Sequence, residues 1–258
     1  MRGLNGKTAI VPGGATKIGA AIVAAFREHG ANVVIADINA EAGKALEAEG
    51  VAFIEANLRS DDDVASIVSF AKETFGRVDF IVNVAATYLD NGADSTRAEW
   101  LEALDVNIVG SVMLMQAARE ELARNKGAIV NFGSISARVA QTGRWLYPVS
   151  KAAILQLTRN QAMDLAPEGI RVNAVSPGWT WSNIMDELTG GDRLKTDKVG
   201  ADFHLFPRVG DAEEVANTVM FLCSDEASFI TGTDIRVDGG YTAMGPERAE
   251  PAIPRLMD

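Results

Sequence analysis

The chain has 258 residues, of which 47% are hydrophobic and 23% are charged, values typical of a soluble globular protein with a sizeable core. Its net charge of −11 repels the phosphates of nucleic acids and anionic lipids, and no stretch approaches membrane-spanning length, so we expect neither a nucleic-acid nor a membrane partner. One cysteine and two histidines cannot form an internal disulfide or a His/Cys metal site, and the N-terminus lacks a signal-peptide pattern, so we expect a cytoplasmic protein without a metal.

Seven short apolar runs alternate with longer amphipathic segments along the chain. Continuous Val/Ile runs predict strands that are buried on both faces, as in a parallel sheet covered by helices. We expect these strands at 8–11, 32–37, 51–56, 78–83, 128–132, 170–175 and 234–237. The alternation predicts a single α/β domain over 1–258, built on a Rossmann-type doubly wound parallel sheet whose ligands bind at the carboxyl ends of the strands.

A glycine-rich loop, "PGGATKIG", follows the first strand at 12–19 and leads into a helix predicted over 17–28. Such a loop lets the backbone approach a pyrophosphate, although a tight turn that binds nothing explains the glycines equally well. Asp37 ends the second strand, where a carboxylate accepts hydrogen bonds from ribose hydroxyls and repels a 2′-phosphate. The glycine loop and Asp37 together indicate a dinucleotide site, and Asp37 favours NAD over NADP. We interpret Lys17 as a solvated cation that attracts the pyrophosphate.

Three long amphipathic segments and two capping boxes predict the remaining helices. Thr96 with Glu99 and Asp211 with Glu214 each form the pattern in which the first residue and the fourth cap a helix start reciprocally. The apolar periodicity predicts helices over 61–75, 96–125 and 144–165.

Four polar side chains are candidates for catalysis. Tyr147 and Lys151 are one helical turn apart and project from the same face. Ser134 comes just after the strand at 128–132. Asn107 lies within a predicted helix, where an asparagine is unfavourable because its side-chain amide competes for the backbone hydrogen bonds, so a specific role for it is expected. A Tyr/Lys pair alone is as easily an ordinary surface pair.

Taken together, these residues resemble the short-chain dehydrogenase/reductase family over nearly the whole chain. "PGGATKIG" corresponds to the family's glycine motif, "NVAA" (83–86) to its Asn-Asn-Ala-Gly motif, and "RVNAVSPG" (171–178) and "ITGTDIRVDGG" (230–240) to two further blocks. The departures are Pro12 for Thr, Lys17 for Gly, Val84 and Ala86 for Asn and Gly, and Asn57 for an acidic residue. Lys17 would be strained if its position required a positive φ.

The resemblance implies hydride transfer between an alcohol carbon and a nicotinamide cofactor. Tyr147 would exchange the hydroxyl proton, its pKa lowered by Lys151 and the charge of the oxidised cofactor, while Ser134 holds the substrate oxygen and Asn107 anchors a water. The cofactor, NAD, would contact Gly13, Thr16, Lys17, Ile18, Gly19, Asp37, Asn57, Leu58, Asn83, Ala85, Tyr147, Lys151, Pro177, Gly178, Thr180 and Ser182.

The substrate is expected to be a small secondary alcohol or its ketone, cyclic or sugar-like. Its pocket is predicted from family-like positions, with Arg138 as a further candidate, and comprises Ser136, Gln141, Arg144, Trp145 and Trp179. Residues 183–206 are predicted to form a mobile lid. Residues 241–258 form a proline-containing tail that is not expected to be a regular helix.

The resemblance also bears on quaternary structure and on alternative functions. Family members pair the helices predicted over 96–125 and 144–165 between subunits, so we expect a homotetramer, with a dimer as the alternative. The altered glycine and "NVAA" motifs also fit a catalytically silent nucleotide sensor or scaffold of the same fold, whereas the four catalytic positions favour an enzyme. An epimerase or dehydratase of the extended branch would need a C-terminal substrate domain, for which the chain has no room.

Overall fold

The computed structural model describes residues 1–245 and 253–256. Its centre is a seven-stranded sheet in the order β3-β2-β1-β4-β5-β6-β7, in which every neighbouring pair is parallel. The predicted fold class and all seven strands are confirmed. The strands are β1 (Thr8–Pro12), β2 (Asn32–Asp37), β3 (Val51–Glu55), β4 (Phe80–Asn83), β5 (Ala128–Phe132), β6 (Arg171–Pro177) and β7 (Asp234–Val237).

Helices cover both faces of the sheet, as expected from strands with apolar residues in continuous runs. They are α1 (Lys17–Glu28), α2 (Ala40–Lys44), α3 (Asp61–Phe75), α4 (Arg97–Leu104), α5 (Gly110–Asn125), α6 (Leu146–Leu165), α7 (Asn183–Thr189), α8 (Arg193–Gly200) and α9 (Ala212–Cys223).

The core has two layers because successive strand residues point to opposite faces. Val11 and Ile35 pack on one face with apolar residues of α1 and α9, while Ile10 and Ile81 pack on the other with residues of α3, α5 and α6. All four are fully buried. Both faces of the sheet are therefore covered by helices, and ligands can reach it at the carboxyl ends of the strands.

The predicted helix over 96–125 is interrupted. It begins with the predicted capping box, in which Glu99 accepts a hydrogen bond from the Thr96 amide at 2.6 Å. A π-helical turn, Asp105–Val109, then separates α4 from α5 and carries Asn107. Apolar periodicity does not distinguish a single π turn from a continuous α-helix, which explains why the interruption was not predicted.

The same run corrects one expectation about length. Within the described residues, the helical run Arg97–Asn125 is long and apolar enough by length and composition to cross a membrane. Core helices of soluble proteins pass the same test, and Leu114, Ala118 and Leu122 of this run are fully buried against the sheet. Its length alone therefore does not argue for a membrane span.

The tail after Gly240 is only partly described. Tyr241–Ala243 and Ile253–Leu256 each form a turn of 3-10 helix, whereas 246–252 and 257–258 lie outside the described residues.

Candidate active site

The glycine loop lies where the strand order reverses, between the carboxyl ends of β1 and β4. Gly13 has a φ of +77°, and a Cβ there would lie 2.6 Å from the amide nitrogen of Ala85. A Cβ on Gly19 would collide with the carbonyl oxygen of Gly13. The loop therefore needs glycine at both positions, and it sits in the crevice where doubly wound folds bind ligands.

The N-terminus of α1 opens onto this crevice. Thr16 caps the helix: its hydroxyl accepts from the Gly19 amide at 3.1 Å and donates to the Gly13 carbonyl at 2.8 Å. The amide of Ile18 has no partner among the described residues. A free amide at a helix N-terminus suits an anionic group such as a pyrophosphate.

Lys17 differs from its expected role. It is the first residue of α1 and has no positive φ, so a side chain causes no backbone strain there. Its amide donates to Asn183 Oδ1 at 2.7 Å, and its ammonium pairs with Asp186 at 3.0 Å. The expectation of a solvated cation is therefore corrected, because Lys17 ties α1 to the start of α7.

Asp37 faces the glycine loop from the end of β2. Its carboxylate accepts hydrogen bonds from the amides of Ala15 (3.1 Å) and Asn39 (3.0 Å). Two of its roughly four lone-pair positions are thus used, which leaves room for ribose hydroxyls. The half-buried carboxylate puts negative charge beside the loop, where it disfavours a further phosphate.

Four further residues predicted to contact the cofactor, Asn57, Leu58, Asn83 and Ala85, do not line the main cavity, which lies beside the glycine loop and is described below. Asn57 is exposed and its side chain accepts from the Arg59 amide at 3.0 Å. Asn83 is buried; its Nδ2 donates to Asn131 at 2.8 Å, while its Oδ1 has no partner within the described part of the chain. Leu58 and Ala85 join Asn83 in lining a second cavity of about 10 Å³.

Ser134, Tyr147 and Lys151 converge on one cavity of about 340 Å³ beside the glycine loop. Ser134 follows β5, while Tyr147 and Lys151 occupy the first turns of α6. The Lys151 ammonium lies 5.5 Å from the centre of the Tyr147 ring and donates to the Phe132 carbonyl at 2.9 Å. Ser134 also contacts the hydroxyl of Ser136 at 3.2 Å.

Asn107 is held behind this cavity by the π-helical turn. Its Oδ1 accepts from the Thr87 amide at 2.8 Å, and its Nδ2 donates to the Thr87 carbonyl (3.1 Å) and to the Ser150 hydroxyl (3.0 Å). Asn107 therefore links the loop after β4 to α6. It also lines the 10 Å³ cavity together with Lys151, which offers room for about one water molecule.

Most predicted contact residues of the cofactor's nicotinamide end and of the substrate line the main cavity. Gly178 there approaches β7 so closely that a Cβ would lie 2.8 Å from Cα of Asp238. The predicted residues that line this cavity are Thr16, Ile18, Ser134, Ser136, Gln141, Arg144, Tyr147, Lys151, Pro177, Gly178, Trp179, Thr180 and Ser182.

Two predicted pocket residues lie elsewhere. Trp145 does not line the cavity: it is 53% exposed, and as the residue that precedes α6 it donates its amide to the buried carboxylate of Asp90 at 2.9 Å. Arg138 pairs with Asp234 at 2.8 Å on the surface beside β7. Both expectations are corrected.

Comparison with known proteins agrees with this geometry. A family model described as enoyl-(acyl carrier protein) reductase matches residues 13–242. The chain belongs to the short-chain dehydrogenase/reductase family. It is 35% identical to the L-fucose dehydrogenase of Bos taurus over 96% of this chain and 94% of that protein.

Two further similarities span nearly the whole chain. The (+)-borneol dehydrogenase 2 of Salvia officinalis is 35% identical, covering 93% of this chain and 90% of that protein. The ligand-free structure of Thermoplasma acidophilum aldohexose dehydrogenase superposes with a TM-score of 0.86 at 32% identity, over 94% and 96% of the two chains. The protein is thus an oxidoreductase acting on CH–OH groups with a nicotinamide cofactor.

The free Ile18 amide, the glycine crevice and Asp37 fit such a cofactor in this short-chain dehydrogenase. Thr16, Ile18 and Ser182 lie on the side of the cavity next to the loop. The pKa of Tyr147, however, is shifted in the direction opposite to the one expected. Burial raises the pKa of Tyr147 well above its ordinary value, outweighing the hydrogen bond from Ser134, which lowers it.

Burial also shifts the pKa of Lys151. Burial lowers its pKa to about 8 by disfavouring the charged ammonium. The groups of the chain alone thus do not make Tyr147 a ready base, and the expectation that Lys151 lowers its pKa is corrected in that respect.

Asp90 is the functional residue that sequence reasoning missed in this dehydrogenase. It lies in the loop after β4, and its carboxylate accepts from the amides of Gly92 (3.0 Å), Trp145 (2.9 Å) and Tyr147 (3.1 Å). Asp90 therefore anchors the start of α6, the helix that carries the tyrosine. The available signal was the absence of a Ser, Thr, Asp or Asn at the N-cap of α6, which called for a cap from elsewhere.

Proposed function

We propose that the protein is an NAD-dependent dehydrogenase that interconverts a secondary alcohol and a ketone in a cyclic or sugar-like substrate. The observation that carries this proposal is the convergence of Ser134, Tyr147 and Lys151 on one cavity beside the glycine loop. The names of similar proteins, which refer to L-fucose, aldohexose and borneol, support a cyclic or sugar-like substrate.

NAD is the proposed cofactor, with NADP less favoured. The support is Asp37, whose carboxylate would accept hydrogen bonds from the adenosine ribose and repel a 2′-phosphate. Lys17, the first residue of α1, does not offset it as a free cation, because its ammonium already pairs with Asp186.

In the proposed mechanism, Ser134 hydrogen-bonds the substrate oxygen and Tyr147 takes up or releases the hydroxyl proton. When bound, nicotinamide supplies the hydride acceptor or donor. Lys151 would donate hydrogen bonds to the nicotinamide ribose and would keep a positive charge near the phenol. The 10 Å³ cavity beside Asn107 and Lys151 supports a water through which the proton leaves, and the unpaired Asn83 Oδ1 would accept a hydrogen bond from it.

The substrate contacts follow from the polar side of the cavity. Ser136 donates to Gln141 at 2.8 Å, so the two side chains form a polar wall, opposite in character to Trp179 and Met185. A ring that carries hydroxyl groups on one edge suits such a mixed lining. We propose that residues 183–206, which include α7 and α8, act as a lid over it, within one domain spanning 1–258.

Quaternary structure and location belong to the same proposal. Apolar side chains remain exposed on the α4–α5 run and on α6, including Leu101 (61%) and Met163 (81%), which supports pairing of these helices in a homotetramer, or else a dimer. The acidic charge and the single buried cysteine favour a cytoplasmic protein without nucleic-acid or membrane partners. Light scattering coupled to gel filtration tests the assembly.

The decisive experiment is a screen of L-fucose, other aldohexoses, bicyclic alcohols and their ketones with NAD and NADP in parallel, followed at 340 nm. We expect reduced nicotinamide to form with NAD at a kcat/KM at least about tenfold above that with NADP. The catalytically silent alternative would instead give thermal stabilisation by NAD and no absorbance change with any substrate.

A further inference from the structure

Arg144 stands out because it lies against the catalytic tyrosine. Its guanidinium carbon is 4.8 Å from the centre of the Tyr147 ring, and its side chain lines the main cavity. From the sequence, Arg144 was expected only as a residue of the substrate pocket. The structure instead brings it closer to the phenol ring than Lys151, whose ammonium is 5.5 Å away.

Four ionisable groups surround Tyr147. Lys151 follows it by one turn on α6, and Arg144 precedes α6. From the loop after β4, the ring of Tyr88 stacks on Tyr147 at 4.9 Å, and the carboxylate of Asp90 accepts the Tyr147 amide. Arg144 and Lys151 are cations, Asp90 is an anion bound to backbone amides, and Tyr88 is a second phenol.

Of the two cations, Arg144 keeps its positive charge over the wider pH range and makes the weaker contacts with other groups. Lys151 donates to a carbonyl and has a pKa of about 8, so it loses its charge in mildly alkaline solution. A guanidinium keeps its charge at any such pH. Among the described residues Arg144 has one ion pair, with Asp90 at 3.9 Å, which is longer than a hydrogen bond.

The anion does not cancel this effect. Asp90 already accepts three backbone amides within 3.1 Å, whose dipoles oppose the field of the carboxylate, and it is not among the groups that shift the pKa of Tyr147. The field of Arg144 lowers the pKa of Tyr147, against the larger and opposite effects of burial and of the neighbouring Tyr88.

We propose that Arg144 is a positioning residue of the acid–base centre, a permanent cation that stabilises the ionised hydroxyl of Tyr147. This role deepens the proposed function and rests on it. An opposite charge within about 4–6 Å shifts a pKa by roughly one to three units. Because the Arg144 side chain is 35% exposed, we expect the low end of that range, about one pH unit or a tenfold change in phenolate.

The first test needs no turnover. Tetranitromethane nitrates the phenolate form of tyrosine, so the nitration rate at fixed pH reports the ionised fraction. At pH 8 we expect the rate at Tyr147, mapped by mass spectrometry, to fall about tenfold in Arg144→Gln and to recover in large part in Arg144→Lys. Tyr241, outside the cavity, is the internal reference, and Arg138→Gln, which removes a similarly exposed arginine (38%) that does not line the cavity, is the matched control.

Equal nitration of Tyr147 in the wild type and Arg144→Gln would overturn the proposal, as would an Arg144→Lys variant as slow as Arg144→Gln, which would make shape rather than charge the cause. With a substrate from the screen, the acidic limb of the kcat/KM profile should also move about one pH unit upward in Arg144→Gln. An unmoved limb would again overturn it. A screen without turnover would count against the proposed function alone, since the nitration result is independent of it.

Discussion

Asp90→Asn should weaken the start of α6 and with it the position of Tyr147. The side chain of Asp90 is 2% exposed and accepts three backbone amides at 2.9–3.1 Å. Asparagine keeps one acceptor oxygen but turns an NH₂ group toward an amide donor. Capping losses of about 0.5–2 kcal/mol and charge-assisted hydrogen bonds worth about 1.5–3 kcal/mol bracket the loss near 2 kcal/mol.

The assay is thermal unfolding of the wild type, Asp90→Asn and the control Asp94→Asn, an exposed neighbour in the same loop. For a chain of this size a loss of about 2 kcal/mol lowers Tm by about 4–8 °C at pH 7. Asp94→Asn should stay within about 1 °C. An Asp90→Asn variant as stable as the control would refute the anchoring role.

The pH dependence of that difference has a definite sign. Burial disfavours the Asp90 carboxylate, but hydrogen bonds from several backbone amides, led by that of Trp145, leave its pKa below the ordinary value. A carboxyl with a depressed folded-state pKa stabilises the protein above its unfolded pKa of about 3.9, and this stabilisation is lost as the pH falls through the folded-state pKa. The Tm difference should therefore be complete at pH 7 and shrink below about pH 4.

Three further outcomes are expected. Asp37→Ser removes the charge that faces a 2′-phosphate, so calorimetric titration should show the preference for NAD over NADP falling at least about tenfold; an unchanged ratio would contradict the role of Asp37. Asn107→Ala breaks three hydrogen bonds of a buried side chain and should lower the free energy of unfolding in urea by about 2–3 kcal/mol, whereas an unchanged midpoint would show that the π turn holds without them. Burial raises the pKa of the Cys223 thiol to about 12, so Ellman's reagent at pH 8 should react only after unfolding, and prompt reaction of the native protein would contradict its burial.

Much of the fold could be predicted because its signals are local. The bounds of α1 and α3 agree with the apolar periodicity, since both begin at a side-chain cap, Thr16 and Ser60. The seven strands were identifiable because residues buried on both faces leave continuous apolar runs. The glycine crevice could also be predicted, because a positive φ or a close approach of two backbone segments requires glycine, and the glycines are visible in the sequence.

The parts that could not be predicted depend on contacts between distant residues. Asp90 anchors Tyr147, which lies 57 positions later, and Lys17 pairs with Asp186, 169 positions later. Neither pair has a local pattern. The raised pKa of Tyr147 was equally hidden, because four-residue spacing shows that Lys151 is near but not how deeply both groups are buried.

The central claim is that the Tyr147 hydroxyl moves the substrate proton in a nicotinamide-dependent alcohol dehydrogenase. The most direct measurement compares Tyr147→Phe with the control Tyr241→Phe at 340 nm, together with calorimetric binding of NAD to each. Because a positioned acid–base group contributes about 10²–10⁴-fold, kcat should fall by at least about 100-fold in Tyr147→Phe while its Kd for NAD stays within about twofold of the wild type. A Tyr147→Phe variant with a near-normal rate would contradict the assignment.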